Sequence, residues 1–373
     1  MSADFVPPIR SDLTGVASYG APQLEVPARL NVNENPFSLP PELAEAMGAA
    51  VARAAVDLNR YPDRDAEGLR QELADYVAGE SGVEVPAAQV WVANGSNEVM
   101  HHLFLAFGGP GRLAITFDPT YSMYPEYARD TFTDYETFER TDDFGIDVGA
   151  AVEVIGSRRP TLVLLTSPNN PTGTALPLSD IRTVADAALG AGAMVVVDEA
   201  YAEFRHDGVP SAVSLLDGYP NLVVTRTMSK AFALAGARVG YALVGDPRVV
   251  ETLKVVRLPY HLSAVTQAVA VTALRHADVL QAQVALLRQE RDALSAWLIG
   301  QGFTVAPSDA NFILFGMFED RARVWSGLLD RGVLIRQTGP DGWLRVSVGT
   351  PDENDMFRRA LLATTSPDDD QPR

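Results

Sequence analysis

Thr161-Leu-Val-Leu-Leu-Thr-Ser-Pro-Asn-Asn-Pro-Thr-Gly173 starts as a short apolar run and breaks into a turn of proline, asparagine and glycine. The run reads as a buried strand, because it lacks the polar alternation of a half-exposed one. Leu178 to Leu189 follows with helical spacing, and Ala193 to Val197 and Leu222 to Thr225 are further buried-type strands. Towards the N-terminus, Val90-Trp-Val-Ala93 enters Asn94-Gly-Ser-Asn97. A helix follows there, with Val99, Met100, Leu103, Phe104 and Phe107 on its apolar face. Asp246-Pro247 is an N-cap with proline in the first helical position. Strands alternating with amphipathic helices predict an α/β fold with a large, mostly parallel, doubly wound sheet.

The texture changes after Pro259-Tyr-His-Leu-Ser263. A long helical stretch runs from about Ala264 to Ile299, followed by short strands at Asn311 to Phe315, Val333 to Arg336 and Leu344 to Val348. A closing helix is expected from Glu353 to Leu362. The expected organisation is an N-terminal arm (1–39) packing with the small domain, and a large domain (40–264). A smaller α+β domain (265–363) and a flexible acidic tail (364–373) complete it.

Composition narrows the function classes. The 373 residues carry 48 acidic and 30 basic side chains, a formal charge of −18, which repels phosphate backbones and argues against a nucleic-acid partner. There is no cysteine, so disulfides, thiolate nucleophiles and thiolate metal sites are excluded. The five histidines have no metal-ligand spacing, and no metal is expected. No apolar run approaches the ~20 residues of a membrane span. The N-terminus does not read as a signal peptide, and the expected location is cytoplasmic. Of the 30 basic residues only Lys230 and Lys254 are lysines, so an amine nucleophile has two candidates.

Ligands of open α/β sheets bind at the carboxyl ends of the strands. Those ends are Asn94-Gly-Ser-Asn97, Ser167-Pro-Asn-Asn-Pro-Thr-Gly173, Asp198-Glu-Ala-Tyr201 and Thr227-Met-Ser-Lys230. Together they supply a helix N-terminus suited to phosphate, an amide, a carboxylate, a phenol and an amine. These are the parts of a pyridoxal 5'-phosphate site: an amine for the aldehyde, a carboxylate for the ring nitrogen, and N–H and hydroxyl groups for the phosphate.

The motifs resemble fold-type I aminotransferases, and within them the histidinol-phosphate aminotransferases, especially the actinobacterial ones. The resemblance covers essentially the whole chain. It is carried by Ser18-Tyr-Gly-Ala-Pro-Gln-Leu24, Asn33-Glu-Asn-Pro36, Arg60-Tyr-Pro-Asp63 and the 167–173 turn. It continues through Asp198-Glu-Ala-Tyr201, Thr227-Met-Ser-Lys-Ala-Phe232, Arg238-Val-Gly-Tyr241, Arg257-Leu-Pro-Tyr-His-Leu-Ser263 and Trp343-Leu-Arg-Val-Ser-Val-Gly349. It implies that Lys230 binds the cofactor covalently and then moves the proton, that Asp198 pairs with the ring nitrogen, and that Tyr201 and Asn170 bind the phenolic oxygen. Tyr121 matches the ring stacked on the pyridine. Gly95, Ser96, Asn97, Thr227, Ser229 and Arg238 match the phosphate site, which Tyr61 would complete from the partner subunit of a homodimer. Arg345 matches the grip on a substrate α-carboxylate, and Arg336 and Tyr19 match contacts to a substrate phosphate. Asn35 is a further candidate on the substrate side.

The implied reaction interconverts histidinol phosphate plus 2-oxoglutarate with imidazole acetol phosphate plus glutamate, in histidine biosynthesis. An aromatic amino acid aminotransferase and a phosphothreonine-type decarboxylase would share the cofactor residues. A cofactor-sensing regulator would need a DNA-binding module for which the N-terminal arm is too short. A nicotinamide oxidoreductase would need a glycine-rich fingerprint, and Gly108-Gly-Pro-Gly111 reads as a turn instead.

Overall fold

Residues 5–366 are described by the computed structural model. Its first half contains β1 (Ala28–Arg29), α1 (Pro41–Ala55), α2 (Glu67–Ser81), β2 (Val90–Ala93), α3 (Ser96–Phe107), β3 (Leu113–Asp118) and α4 (Tyr124–Asp130). There follow β4 (Asp134–Glu139), α5 (Val148–Arg158), β5 (Leu162–Thr166), α6 (Leu178–Ala191), β6 (Met194–Asp198), β7 (Leu222–Thr227) and β8 (Gly240–Val244). The remainder comprises α7 (Pro247–Val256), α8 (Ala264–Arg275), α9 (Ala277–Gly300), β9 (Thr304–Val305), β10 (Phe312–Gly316), α10 (Arg321–Asp330), β11 (Val333–Leu334), β12 (Trp343–Ser347) and α11 (Pro351–Thr365).

The central sheet has the order β2-β8-β7-β6-β5-β3-β4. β8 runs antiparallel to both its neighbours, and the other pairings are parallel. Alternation along each strand feeds two cores. Val163, Leu165, Val195, Val197, Leu222 and Val224 face one apolar cluster with residues of α1, α2, α5, α6, α8 and α9. Leu162, Leu164, Val196 and Val223 face the other, with α3, α4 and α7. Strands buried on both faces have no polar side to alternate, which explains their continuous apolar runs.

A third cluster joins Ile313, Phe315, Leu344 and Val346 to Leu294, Leu298, Val324, Leu328, Phe357 and Leu361. The N-terminal arm enters it through Ala28 and Leu30, and β1 pairs in parallel with β11. A domain division near residue 264 remains a proposal, and the cores do not follow it strictly: α8, the first half of α9 and Phe312 pack into the first cluster.

Three expected boundaries move. The long helical stretch divides at His276, whose Nδ1 lies 2.9 Å from the Thr272 carbonyl and whose backbone leaves helical geometry. The expected strand at 333–336 is regular only over Val333–Leu334, because the chain then changes partner and Arg336 bridges to Arg345. The closing helix extends to Thr365, past the expected start of the tail at 364. Thr364 is buried against Gly327, so this turn belongs to the packed structure. Residues 367–373 of that tail lie outside the described residues.

Candidate active site

The carboxyl ends of β5, β6 and β7 deliver Thr166, Asp198 and Thr227 to one cavity of about 270 Å³. The β7–β8 connection adds Ser229, Lys230 and Arg238, and the start of α3 adds Ser96 and Asn97. Tyr121 and Asn170 line the same space, as do Tyr19, Arg336 and Arg345 from the arm and the second sheet region. Thirteen of the sixteen residues expected at the site therefore meet: Tyr19, Ser96, Asn97, Tyr121, Asn170, Asp198, Tyr201, Thr227, Ser229, Lys230, Arg238, Arg336 and Arg345.

Glycines make the phosphate-side corner possible. A Cβ at Gly240 would lie 2.1 Å from the Ser96 backbone nitrogen, so only glycine lets β8 approach the first turn of α3. Gly95, at φ 85°, does not itself line the cavity. A Cβ there would sit 2.6 Å from Arg238 Nη2, so its role is to admit the guanidinium. The corner combines free helix N–H groups, the hydroxyls of Ser96, Thr227 and Ser229, and an arginine, a donor set for a dianion.

Asp198 is 4 % exposed. Its Oδ2 accepts from Tyr124 Oη (3.0 Å), and its Oδ1 from Thr225 Oγ1 (3.2 Å) and the Ala200 N–H (3.2 Å). No cation among the described residues forms an ion pair with it, and burial pushes the carboxyl up to about 6. Glu199, next in sequence, is satisfied instead: Arg226 binds it at 2.9 Å and Ser211 donates at 2.7 Å. Burial alone would raise Glu199, yet the Arg226 charge holds it below its usual range. The unpaired carboxylate is thus the one that faces the cavity.

Lys230 donates to the Val32 carbonyl at 2.9 Å. Burial, with the charges of Arg345 and Arg238, lowers its ammonium to about 8. Lys254, the other lysine, is paired with Glu251 at 2.7 Å on α7. Tyr201 Oη accepts from Asn33 Nδ2 at 3.0 Å, and Tyr121 Oη donates to Asn97 Oδ1 at 3.3 Å. Arg345 donates to Asn170 Oδ1 and, at 2.8 Å, to the Asn31 carbonyl. Its Nε is buried without a partner, and burial lowers the guanidinium to about 10. Arg336 and Arg345 exchange backbone hydrogen bonds of 2.9 Å, so two guanidinium side chains sit side by side on one wall.

Besides Gly95, two expected residues do not reach the cavity. Asn35 turns away, its Oδ1 accepting from the Phe37 N–H at 3.0 Å in a local turn. Tyr61 is 79 % exposed and stacks on Tyr260, with ring centroids 4.4 Å apart. Sequence reading also missed Asn33 and Glu34, which line the cavity, and Tyr124 and Thr225, which hold Asp198 from behind. The Asn33-Glu-Asn-Pro36 motif was a signal for the first pair, but residue order does not tell which asparagine turns inward. Asn33 does so with φ 56°, and Ser347 Oγ donates to its Oδ1 at 2.9 Å. Asn169, a neighbour of the site residue Asn170, is a turn clamp that donates to Pro119 O and Thr172 Oγ1, both at 2.9 Å.

Residues 27–361 match the family Aminotransferase class I and II. The chain is 60% identical to histidinol-phosphate aminotransferase of Thermobifida fusca, over 96% of this chain and 95% of that protein. It is 58% identical to histidinol-phosphate aminotransferase 3 of Burkholderia lata, over 95% of each. The chain belongs to the histidinol-phosphate aminotransferases, within the class I and II aminotransferases. Among solved structures, histidinol-phosphate aminotransferase from Sinorhizobium meliloti in complex with pyridoxal-5'-phosphate superposes with a TM-score of 0.83 at 24% identity. That match covers 97% of this chain and 98% of the other, and the fold of this aminotransferase is the fold-type I architecture expected from the sequence. Among its described residues no helix is long and apolar enough to cross a membrane, and no cluster of three acidic or histidine side chains could hold a metal.

Proposed function

We propose that this aminotransferase uses pyridoxal 5'-phosphate to interconvert histidinol phosphate plus 2-oxoglutarate with imidazole acetol phosphate plus glutamate, in the cytoplasm, as a step of histidine biosynthesis. The paired guanidinium groups of Arg336 and Arg345 carry this reading. Both proposed amino donors bring an anion beyond the reacting carbon: glutamate a second carboxylate, histidinol phosphate a phosphate. Phenylalanine, the donor of the rival aromatic reading, brings one singly charged carboxylate, whereas the phosphate of histidinol phosphate or the two carboxylates of glutamate bring about two negative charges to the paired guanidinium groups.

The cavity fits the cofactor. Asp198 lacks a cation and a protonated pyridine nitrogen would provide one, while the Ser96, Asn97, Thr227, Ser229 and Arg238 corner suits its phosphate. Tyr201 and Asn170 would hold its phenolic oxygen, Tyr121 its ring face, and Lys230 its aldehyde carbon covalently. When bound, the cofactor supplies an aldehyde that takes up the amino group and a cationic ring that draws electrons from the substrate α-carbon.

The chain's own residues supply the rest. Lys230 Nζ, its ammonium weakened by burial, would take the proton from the substrate's amine-bearing carbon and deliver it to the carbon that was the cofactor's aldehyde, and would carry it the other way for the second substrate. The unpartnered Nε–H of Arg345 is ready for a carboxylate, and the planar fork binds it with two parallel bonds, which lysine could not do. Arg336, half-buried beside it, offers the second grip.

A half-reaction panel tests this reading: holoenzyme titrated with histidinol phosphate, histidinol, phenylalanine and glutamate, followed by the visible absorbance of the cofactor. Histidinol phosphate and glutamate should react, and histidinol and phenylalanine should be poor. Arg345→Ala should lower kcat/KM for glutamate by about 100-fold or more, the cost of removing a buried charge partner. Arg336→Ala should chiefly damage histidinol phosphate. Equal losses in both half-reactions would refute separate anchors, and preference for phenylalanine would favour the aromatic reading.

The proposal includes a homodimer with shared sites. Val56, Leu58, Tyr61, Val255 and Leu258 are all more than half exposed, and the Tyr61–Tyr260 stack ties the two segments together. Asn94 Nδ2 donates to the His261 carbonyl at 2.9 Å, linking this apolar surface to the phosphate corner. Such a surface beside a cavity suits a second copy that brings its Tyr61 to the phosphate. Tyr61→Ala and Lys230→Ala chains, each inactive alone, should regain about a quarter of wild-type activity when reassembled, because half the dimers hold one intact site. No recovery in verified mixed dimers would place Tyr61 outside the partner's site.

A further inference from the structure

Behind Asp198 lies a row of hydroxyls that the proposed reaction does not by itself require. Tyr124 Oη is 3.0 Å from Asp198 Oδ2 and 2.8 Å from Thr166 Oγ1, and Thr166 Oγ1 is 3.0 Å from Thr120 Oγ1. Tyr124 is fully buried; Thr166, nearly fully buried, and Thr120, half-buried, both touch the cavity. Proton counting fixes the direction. An ionised carboxylate can only accept, so Tyr124 must spend its single proton on Asp198. Its oxygen then accepts from Thr166, and Thr166 in turn accepts from Thr120. The chain runs one way, from the cavity wall through three hydroxyls to the carboxylate.

We propose that Tyr124, Thr166 and Thr120 form a directed hydroxyl relay that orients Asp198 and keeps it ionised for the ring nitrogen of the cofactor, with Tyr124 as its positioning residue. This rests on the function proposed above. Each bond in the row strengthens the next, because a hydroxyl that accepts a hydrogen bond becomes a better donor. Thr225 supports the other oxygen at 3.2 Å from β7, so the two oxygens are held from different elements. The relay also leaves Thr120 facing the cavity with its lone pairs free, so it offers an acceptor there while Asp198 is charged. Tyr124 has a second use that separates from the first: its ring meets Tyr121 edge-on at 5.6 Å, and phenylalanine would keep that contact.

The other titratable neighbours are Glu199 in the same turn, Tyr127 on α4, Tyr121 and Tyr201 from the loops, and Arg140, whose buried guanidinium lies 3.5 Å from the Thr166 carbonyl beside Tyr124. Lys230, Arg238 and Arg345 line the same cavity. None of them is changed by the variants below.

The test follows the Asp198 carboxyl by carbon-13 NMR in protein stripped of cofactor, the signal being identified by its loss in Asp198→Asn. Tyr124→Phe should make the acid about tenfold weaker, moving its midpoint up by roughly one pH unit. Thr166→Val should move it the same way by less, and Thr166→Ser should leave it in place. The double variant Tyr124→Phe/Thr166→Val should match Tyr124→Phe alone, because the threonine acts through the tyrosine. An unmoved midpoint in Tyr124→Phe, or additive shifts in the double variant, would overturn the relay. Should Tyr124→Phe not fold, the contrast between Thr166→Val and Thr166→Ser decides alone. Reconstituted with pyridoxal 5'-phosphate, Tyr124→Phe should lose roughly tenfold in kcat with KM for glutamate unchanged. A wild type that bound no cofactor would refute the proposed function and leave the NMR test of the relay standing.

Discussion

Lys230→Ala should abolish turnover while the protein still folds. The lysine sits at the cavity wall, bonded to the Val32 carbonyl, and no apolar core cluster depends on it. Removing a general base costs about 10²–10⁴ in rate, and this residue is also proposed to anchor the cofactor, so a loss of at least about 10³-fold is expected. Borohydride reduction of wild-type holoenzyme should fix the cofactor to the peptide containing Lys230. Lys254 is held in a pair with Glu251 on α7, and labelling there would sink the assignment. The pH dependence has a definite sign. Covalent capture needs the neutral amine, so in cofactor-free protein the capture rate should climb about tenfold per pH unit up to about 8, where Lys230 titrates, and then level off. A rate still climbing at pH 10 would mean an ordinary exposed lysine is responsible.

Much of this site could be read before any coordinates, because it is built where strands end. Thr166 and Asp198 each close a continuous apolar run, and a polar residue at such an edge stands out against the core; Thr227 ends a strand whose apolar run, Leu222 to Val224, has already turned polar. The edges of the fold were harder to read. β4, Asp-Tyr-Glu-Thr-Phe-Glu, is an edge strand with polar residues on both faces, and its sequence has no buried run to betray it. β1 and β11 are two residues each and exist through their mutual pairing, a tertiary contact that local sequence cannot encode. The same limit explains Asn33. Its motif was visible, but the inward turn depends on Tyr201 and Ser347, which lie 168 and 314 residues away. Tyr124 shows a third kind of miss: nothing in the Tyr124–Asp130 segment marks it as part of a site, and the phenol's hydrogen bond to Asp198 appears only when α4 is laid on the sheet.

Asp198→Asn should move activity and stability in opposite directions. The amide keeps the size of the side chain and an oxygen for Tyr124, but it brings no charge to face a cationic ring. Truncating one partner of a buried charge pair costs about 2–5 kcal/mol, so the holoenzyme should slow by about 30- to several-thousand-fold. A variant within threefold of wild type would show that Asp198 is not the ring's partner. The cofactor-free protein should respond the other way. Its carboxyl titrates at about 6, against 3.8 for an ordinary aspartate, so the folded chain holds that proton more tightly than the unfolded one. Stability is then lost as pH rises from about 4 through 6, and the loss is complete above that window. Asparagine carries no such penalty. At pH 8 the cofactor-free variant should therefore unfold at a higher temperature than cofactor-free wild type, by a free energy of at most about 3 kcal/mol, and at pH 4 the gap should close. An equal gap at both pH values would mean that packing, not charge, separates the two proteins. A carboxylate kept in a place that costs the empty fold stability is explained by the cation it awaits, and added cofactor should reverse the order of the two melting temperatures.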